Sequence, residues 1–415
     1  MLSANRLQEQ LEKIKELSRL ESTPGCNRLA FTDNDWKVRD YIIMLMKEAG
    51  LSVRIDAFGN VIGRREGNDP QLPAVLVGSH TDSVPEGGNF DGVIGVLGGI
   101  EIARHLSESN ISHDHPLEVI LFMCEESSRF GAATLGSRAM RGELSMQDLK
   151  TLHDKNGITL YEVLGARGLH PERVEKDIYD TPVKAFLEMH IEQGRVLEHA
   201  QKTMGVVTGI AAPTRMILHI HGNADHSGAT PMPLRKDGLC AAAEIILAVE
   251  KHAQAQKDPA VVGTVGMIQV QPNAMNVIPG ETALSIDIRS ISEKAKAEVA
   301  AAIKTQITET CQQRELTFTI EDLGNEKPAV MHPALSTLFA EICQQTQTDF
   351  MLLPSGAGHD AMHWADFTPT GMLFIPCKNG ISHNPLEEAS LEDIFAATCI
   401  LEKAVSKALL AETIF

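Results

Sequence analysis

Five residues of the chain are good metal ligands, and each stands at the end of an apolar run or in the turn that follows one. Three imidazoles and two carboxylates are the ligand set of a paired divalent-metal hydrolytic centre. A further carboxylate, Glu125, directly precedes one of the five, and such a centre needs a group of this kind to take a proton from water. The five candidate ligands are His80, Asp91, Glu126, His190 and His383.

Two of these residues come at the ends of predicted strands. In GSHTDS (78–83), His80 ends a strand and Asp82 follows two residues later. Side chains at i and i+2 of an extended segment point the same way, so we expect Asp82 to orient His80. In LEMHIEQG (187–194), His190 has a similar place, and Gln193 indicates a loop that a ligand approaches closely. The alternative for GSHTDS is a loop histidine beside a solvated aspartate.

Asp91 lies in the glycine-rich segment GGNFDGVIGVLGG (87–99), where we expect a helix to begin. An aspartate at this point is usually an N-cap, which is the plainer interpretation. A carboxylate here can also bridge two cations, and the glycines on both sides let the backbone approach a crowded site. Both interpretations stay open at this stage.

Adjacent carboxylates follow a buried strand in MCEESSRFG (123–131). Such groups repel each other unless a positive charge holds them, and a metal ion supplies that charge. Because neighbouring side chains point in different directions, Glu126 can bind the metal while Glu125 faces the substrate. The alternative is a charged loop. The fifth ligand, His383, stands in the turn-rich loop NGISHNP (379–385).

Other histidines are harder to assign. His113 and His115 lie in the polar turn SHDHP (112–116), where we expect them to be solvated. His359 lies in PSGAGHDA (354–361), a loop of small residues where a ligand could meet the backbone. Substrate contact and a structural role are both open for His359.

Composition excludes several classes of function. The 415 residues suffice for two or three domains, and 43% apolar with 22% charged residues is ordinary for a globular protein. A net charge of −18 repels phosphate backbones, so we expect no nucleic-acid partner. Seven dispersed cysteines without a CxxC pair predict reduced thiols in the cytoplasm. No signal-peptide core and no run of 18 apolar residues are found, so we expect no membrane span.

Hydrophobic periodicity predicts that the ligands line one edge of an α/β sheet. His80, Glu125 and His190 directly follow strands, and open α/β sheets bind ligands at the carboxyl ends of their strands. In the first half of the chain we expect helices over 4–19, 33–49 and 92–106, and strands over 53–56, 60–64, 74–79, 117–124 and 183–189.

The segment from 212 to 327 has a different order of elements and holds none of the five ligands. Its predicted βαββαβ order can close as a small ferredoxin-like sandwich. We therefore predict a discontinuous catalytic domain over 1–211 and 328–415, with an inserted domain over 212–327. The insertion has predicted strands over 215–221, 263–271, 281–289 and 317–322 and helices over 234–256 and 293–314; after it come helices over 333–347 and 390–410 and strands over 350–353 and 372–376.

Together the motifs resemble the amidase, hydantoinase and carbamoylase branch of the zinc aminoacylase/carboxypeptidase superfamily. This branch includes N-carbamoyl-L-amino-acid amidohydrolases, allantoate amidohydrolases and β-ureidopropionases. The resemblance covers essentially the full length of the chain. It is carried by GSHTDS, GGNFDG, EESSRFG, EMHIEQGRVLE (188–198), DHSGATPM (225–232), NVIPG (276–280), DIR (287–289), SGAGHD and GISHNP.

The resemblance implies a di-metal aminopeptidase-like α/β catalytic domain with an inserted ferredoxin-like α+β lid that forms a homodimer. It implies two divalent metal ions per subunit, with zinc expected and manganese, cobalt or nickel as alternatives. His80 and His190 would hold one ion, Glu126 and His383 the other, and Asp91 would bridge them. Glu125 would be the general base.

Further roles follow from the same resemblance. His226 would cross the dimer interface and stabilise the oxyanion of the tetrahedral intermediate in the other subunit. Arg289 and Asn276, with Arg215, would bind the substrate carboxylate, a task that suits the bidentate guanidinium group. Gln193 and His359 would lie close to the substrate.

The implied reaction is hydrolysis of the ureido C–N bond of an N-carbamoyl-L-amino acid, which releases the amino acid, ammonia and carbon dioxide. Allantoate and 3-ureidopropionate are alternative substrates. An N-acyl amino-acid deacylase or peptidase would use the same metals, although many of those relatives place an acidic ligand where this chain has the histidine of EMHIEQG. A non-catalytic binding protein would be expected to lose ligands or the base, whereas all six residues are present.

Overall fold

The computed structural model describes residues 1–21, 23–257 and 259–410, which fold into two compact units. The first unit comprises Met1–Thr208 and Val330–Phe415, and the second comprises Gly209–Ala329. The boundaries predicted from the sequence, at 211/212 and 327/328, lie close to these. Residues 411–415 of the predicted catalytic piece lie outside the described residues.

The strands, in chain order, are β1 (Ser52–Ile55), β2 (Val61–Arg65), β3 (Ala74–His80), β4 (Leu117–Phe122), β5 (Val183–Ile191), β6 (Met204–Ile210), β7 (Ala212–His221), β8 (Val262–Thr264), β9 (Ile268–Gln271), β10 (Glu281–Ser290), β11 (Thr317–Asn325), β12 (Ala329–Val330), β13 (Phe350–Ser355) and β14 (Thr370–Ile375). The α-helices are α1 (Ala4–Ser18), α2 (Asp33–Glu48), α3 (Val93–Glu108), α4 (Leu135–Met140), α5 (Met146–Thr151), α6 (Leu160–Ala166), α7 (Val196–His199), α8 (Gly238–Ala255), α9 (Glu293–Gln313), α10 (Pro333–Gln345) and α11 (Leu391–Leu410). None of the helices in the described part of the chain has the length and hydropathy needed to cross a bilayer.

The first unit is built on a mixed sheet with the order β1-β2-β4-β3-β5-β14-β6. The four central strands, β4, β3, β5 and β14, run parallel to one another, and the neighbours β2 and β6 are antiparallel to them. Strands β3, β4 and β14 are buried along their whole length, as expected for a sheet covered on both faces. The carboxyl ends of the four parallel strands therefore meet at one edge.

Helix α3 packs unusually close to the centre of this sheet. A methyl group at Gly95 would lie 2.4 Å from the carbonyl oxygen of Met189 in β5 and 2.8 Å from the Cβ of Ser79 in β3. The glycines of the segment 92–99 thus permit a helix-to-sheet distance that a larger residue would not. This close packing fixes the position of the amino-terminal end of α3, and Asp91 lies just before it.

The second unit is an antiparallel sheet with the order β11-β7-β10-β8, in which β9 also pairs with β10. Helices α8 and α9 bury their apolar residues against it in a separate core. The strands and helices, and their order in the chain and in the sheet, are those of a ferredoxin-like sandwich. The predicted α/β fold class with a ferredoxin-like insertion is therefore confirmed. Dimerisation through this unit stays a prediction.

Several predicted elements differ in detail. The strand predicted over 263–271 is split into β8 and β9, which pair with different parts of β10. The helix predicted from 234 begins at Gly238, because the Asp237 carboxylate accepts from the N–H groups of Leu239 and Cys240 and caps it there.

Helices α4, α5 and α6 were not predicted at all. Two of them begin with capping boxes, formed by Ser145 with Asp148 and by Thr159 with Glu162, which are signals readable in the sequence.

The prediction that His113 and His115 are solvated is wrong. Both side chains are buried, because the 112–116 turn folds back onto the start of β3. The Nδ1 atom of His115 lies 2.8 Å from the carbonyl oxygen of Pro73, and the Arg65 guanidinium donates to Nε2 of His113. Burial lowers the pKa of His113, which favours its neutral form, and the hydrogen bonds give both histidines a structural role.

The close packing of α3 gives a stability prediction. We expect Gly95→Ala to lower the free energy of unfolding by about 1–3 kcal/mol, because the added methyl group has no space beside β5. The control is Gly165→Ala in α6, where a Cβ meets nothing within 4 Å. Alanine there should raise stability by about 0.5–1 kcal/mol. Urea unfolding of both variants gives the comparison, and equal effects would contradict the packing argument.

Candidate metal centre

The carboxyl ends of the four parallel strands bring all five predicted ligands together. His80 is the last residue of β3, and His190 is the penultimate residue of β5. Glu126 follows β4, and His383 lies in the loop after β14. Asp91 lies between β3 and α3. Adjacent parallel strands thus position side chains that are far apart in the sequence.

The ligand atoms form two triads that share Asp91. The first triad is His80, Asp91 and His190, and the second triad is Asp91, Glu126 and His383. Within each triad the ligand atoms lie within 4.8 Å of one another. Asp91 Oδ1 lies 3.5 Å from His80 Nε2 and 3.0 Å from His190 Nε2. Asp91 Oδ2 lies 3.3 Å from His383 Nε2, so each carboxylate oxygen faces one triad.

Backbone carbonyls set the tautomers of the two histidines of the first triad. His80 Nδ1 lies 3.1 Å from the carbonyl oxygen of Asp82, and His190 Nδ1 lies 2.9 Å from that of Ile191. A carbonyl oxygen accepts only, so in the neutral ring Nδ1 carries the proton and Nε2 keeps its lone pair. Both lone pairs belong to the atoms that face Asp91, as a metal ion requires, and that of His190 now also accepts the N–H group of Gly92 at 3.1 Å.

Asp91 does not cap a helix. Helix α3 begins at Val93 with Gly92 as its N-cap residue at φ +68°, and no side chain caps it. A Cβ at Gly92 would lie 2.5 Å from His80 Nε2. The glycine after Asp91 is therefore required by the approach of the ligands, and the N-cap interpretation of Asp91 is wrong.

Asp82 organises the loop after β4. Its carboxylate accepts the backbone N–H groups of Glu125 at 3.1 Å and of Glu126 at 3.0 Å. The Asp82 carboxylate lies 3.6 Å from His80 Nδ1, farther than the carbonyl oxygen of the same residue. Asp82 therefore holds His80 mainly through its backbone, and it holds the two glutamates through its side chain.

Glu125 and Glu126 diverge as the sequence predicts. Glu126 Oε1 lies 3.2 Å from His383 Nε2, in the second triad. Glu125 Oε2 lies 3.7 Å from His80 Nε2, beside the first triad. Cys124, directly before them, has φ +59°, and this left-handed residue turns the chain sharply out of the strand.

Two more residues of the site, Gln193 and His383, also have positive φ, at +58° and +54°. A non-glycine residue in this region is uncommon and is found where the surrounding structure compensates for the strain.

Charges in the cluster favour a cation. Within the described residues, Asp91, Glu125 and Glu126 make their ion pairs with imidazoles and not with lysine or arginine. Burial raises the pKa of Glu125 well above its usual range, and Glu126 and Asp360 add to the rise. The Asp91 and Glu126 carboxylates raise the pKa of His383 to about 11. Nitrogen and oxygen ligands in an acidic pocket fit a divalent metal ion, whose charge would relieve this repulsion.

The structure also shows residues that the sequence did not single out. Glu387 is buried, and its Oε1 atom accepts the N–H groups of Phe90 at 2.9 Å and Asp91 at 3.1 Å. Ser382 Oγ lies 2.9 Å from Asp91 Oδ2 and 3.0 Å from Glu387 Oε2, and its one hydroxyl hydrogen can bond to either. Gly88 is required because a Cβ there would lie 2.2 Å from Glu387 Oε1. Only the glycine pair of GGNFDG hints at this buried acid.

Arg28 is the second such residue. Its side chain is fully buried, and Nε donates 2.7 Å to the carbonyl oxygen of Thr81. The two terminal nitrogens donate 3.2 Å to Asn89 Oδ1 and 3.2 Å to the carbonyl oxygen of Gly88. One guanidinium group therefore ties the loop after His80 to the loop before Asp91. Nothing in the sequence around Arg28 indicated this role.

His359 is buried behind the first triad. Its ring makes an edge contact with His190 at a centroid distance of 4.5 Å, and its Nε2 atom lies 2.9 Å from Ser355 Oγ. Burial holds its pKa well below the usual range. His359 therefore supports the ring of a ligand, and its contact with substrate stays a prediction.

In the second unit, His226 and Asn276 lie on neighbouring loops. The carbonyl oxygen of Asn276 accepts the N–H group of Ser227 at 3.0 Å, and both His226 and Asn276 are exposed. His226 Nδ1 accepts the N–H groups of Gly228 at 3.0 Å and Ala229 at 3.2 Å. In the neutral ring the proton is therefore on Nε2, which makes this exposed atom a hydrogen-bond donor.

Arg215 and Arg289 share one carboxylate. Arg215 Nε donates 3.0 Å to Asp287 Oδ2, and Arg289 Nε donates 2.9 Å to Asp287 Oδ1. Burial acts to raise the pKa of Asp287, but the guanidinium groups of Arg289 and Arg215 together lower it below its usual value. Asp287, the first residue of DIR, thus fixes both predicted substrate-binding arginines, which the sequence analysis did not foresee.

Comparison with known proteins agrees with this picture. The model of Peptidase family M20/M25/M40 matches residues 76–407. An N-carbamoyl-L-amino-acid amidohydrolase of Pseudomonas sp. (strain NS671) is 40% identical over 409 residues, which is 98% of each chain. A ureidoglycolate hydrolase of Oryza sativa subsp. japonica is 37% identical over 98% of this chain and 85% of its own.

A solved structure extends the likeness to the whole fold. An amidase of the hydantoinase/carbamoylase family from Burkholderia multivorans superposes with a TM-score of 0.93 at 35% identity, over 99% of each chain. The enzymes of this family use divalent metals, and both triads are available here to bind them. The chain thus belongs to Peptidase family M20/M25/M40, in the amidase branch that includes the hydantoinase/carbamoylase enzymes, and it is a hydrolase of C–N bonds.

Proposed function

We propose that the chain hydrolyses N-carbamoyl-L-amino acids to the amino acid, ammonia and carbon dioxide, using two divalent metal ions per subunit. The observation that carries the proposal is the pair of triads that share Asp91, with Glu125 Oε2 3.7 Å from a histidine of the first triad. The similarity to the Pseudomonas enzyme favours this substrate class. We further propose a cytoplasmic homodimer.

Residues of the first triad would hold one ion and residues of the second triad the other. When bound, such ions lower the pKa of a water molecule and polarise a carbonyl group. The ligand atoms are nitrogen and oxygen, which suits zinc, and also manganese, cobalt or nickel. We propose zinc as the ion, because histidine and carboxylate ligands are typical of zinc sites.

Glu125 carries the proton through the reaction. Its carboxylate takes a proton from water, which adds to the ureido carbon, and then gives that proton to the leaving nitrogen. Cleavage of the C–N bond consumes one water molecule and leads to ammonia, carbon dioxide and the free amino acid. Burial raises the pKa of Glu125, and a cation held beside it would favour the ionised form that acts as a base.

The second unit would supply the groups that bind and stabilise the substrate. His226 presents an exposed Nε2–H donor, the group needed to stabilise an oxyanion, and we propose that it acts across a homodimer interface. Arg289 and Asn276, with Arg215, would bind the substrate carboxylate.

An ammonia-release assay of the metal-loaded protein tests the substrate assignment. The panel contains N-carbamoyl-L-amino acids, allantoate, ureidoglycolate, 3-ureidopropionate and an N-acetyl amino acid. Hydrolysis of the N-acetyl compound releases no ammonia and is measured by the appearance of the free amine. We expect the highest kcat/KM for an N-carbamoyl-L-amino acid. A preference for allantoate, ureidoglycolate or 3-ureidopropionate would reassign the substrate, and turnover of the N-acetyl compound alone would indicate a deacylase.

The two adjacent glutamates should respond differently to the same substitution. Glu125→Gln should keep the metal content and lower kcat by about 10²–10⁴, because only the base is lost. Glu126→Gln should reduce the bound metal, because it removes a ligand of the second triad. Metal analysis and steady-state kinetics of both variants give the result. A near-normal rate for Glu125→Gln would remove Glu125 from the mechanism.

Arg289→Lys should raise KM roughly 10–100-fold with little change in kcat, because lysine cannot make the bidentate, charge-assisted contact with a carboxylate. Arg314→Lys, in the same unit, is the control, because Arg314 pairs with Glu244 on the surface. Kinetics with an N-carbamoyl-L-amino acid measure both. An unchanged KM for Arg289→Lys would exclude its role in substrate binding.

A further inference from the structure

We propose that the side-chain amide of Gln193 competes with the metal ion of the second triad, so that the first triad fills before the second. The inference rests on the proposed function, because it assumes that both triads bind ions. It concerns which residues control occupancy of the second position, rather than which residues are ligands.

The amide nitrogen of Gln193 is bonded to ligand atoms of the second triad. Nε2 lies 2.7 Å from Asp91 Oδ2 and 3.2 Å from His383 Nε2. Both atoms belong to the second triad. An ion of the second triad would bond to these same two atoms, and the amide nitrogen now stands within hydrogen-bond distance of both, so amide and ion compete for one position.

The first triad has no such competitor among the described side chains. Asp91 Oδ1 faces the rings of His80 at 3.5 Å and His190 at 3.0 Å. Two further groups contact this triad: the backbone N–H group of Gly92 donates to His190 Nε2 at 3.1 Å, and Glu125 Oε2, an anionic group that attracts a cation, lies 3.7 Å from His80 Nε2. The side chains of His80 and His190 are also nearly inaccessible, whereas that of His383 is 48% exposed. The Gln193 amide therefore competes for the metal position of the second triad, and this position is more exposed to solvent than that of the first triad.

The carbonyl oxygen of the Gln193 amide shows that this arrangement is not optimal for the glutamine. Oε1 is buried and accepts no hydrogen bond from any described residue. A buried amide oxygen without a partner is unfavourable, so the side chain gains a partner when it leaves the triad for water or substrate. Displacement by an ion therefore has a modest cost, and the competition is reversible. Once displaced, the amide is free to meet the substrate.

The test is a zinc titration of the metal-free protein in chelator-buffered solution, with the two stepwise dissociation constants obtained by calorimetry and metal analysis. In the native chain we expect two constants that are clearly separated. In Gln193→Leu the second constant should become roughly tenfold tighter, because a charge-assisted hydrogen bond that stabilises the metal-free triad is lost. The first constant should not change. Gln193→Met is a second variant in case leucine disturbs the fold.

Gln10→Leu is the matched control. Gln10 is a buried glutamine of α1 whose Oε1 atom likewise has no partner in the described part of the chain, and neither constant should change when it is replaced. A second constant that is unchanged or weaker in both Gln193 variants would overturn the inference, as would equal changes in both constants. A native chain that binds no ion at all would overturn the proposed function instead, so the two failures are distinguishable.

Discussion

The carboxylate of Asp91 is the interaction on which the rest of the site depends, because it is the one group common to both triads. Its two oxygens face opposite sides, one toward the rings of His80 and His190 and the other toward His383. To hold that position, the chain needs a tight turn before α3. That turn requires glycine at positions 88 and 92. A methyl group at Gly88 would collide with Glu387, and one at Gly92 would collide with His80.

Around this carboxylate the fold concentrates buried acidic groups and balances them locally. Glu387 and Asp82 accept backbone N–H groups, so their oxygens are bonded although they are buried. Arg28 adds a buried positive charge and ties together the loops that carry His80 and Asp91. These contacts hold the ligands in place before any ion binds, and such preorganisation reduces what the ion must reorder.

Much of this could be predicted from the sequence because the ligands follow a simple rule. Buried strands are short apolar runs, and His80, Glu125 and His190 come where such runs stop. The roles of Glu387, Arg28 and Asp287 could not be predicted, since each depends on a backbone group or a side chain brought close only by the fold. The break between β8 and β9 and the cap at Asp237 were missed for a related reason: local hydrogen bonds decided where these elements begin and end. Asp91 shows a second limit of the sequence. An aspartate just before a helix is most often an N-cap, but the residues that the fold brings around Asp91 place it among the ligand atoms instead.

The order of the ligands along the chain has a consequence for synthesis. His80, Asp91 and His190 all precede the second unit, whereas His383 follows it and comes after β14, the last strand of the sheet. A growing polypeptide that has reached residue 208 already contains one complete set of three ligands, but the other set lacks its histidine until nearly the whole chain has left the ribosome. A product truncated at that point holds all the residues of one triad but lacks β14, the strand that pairs with β5 beside His190.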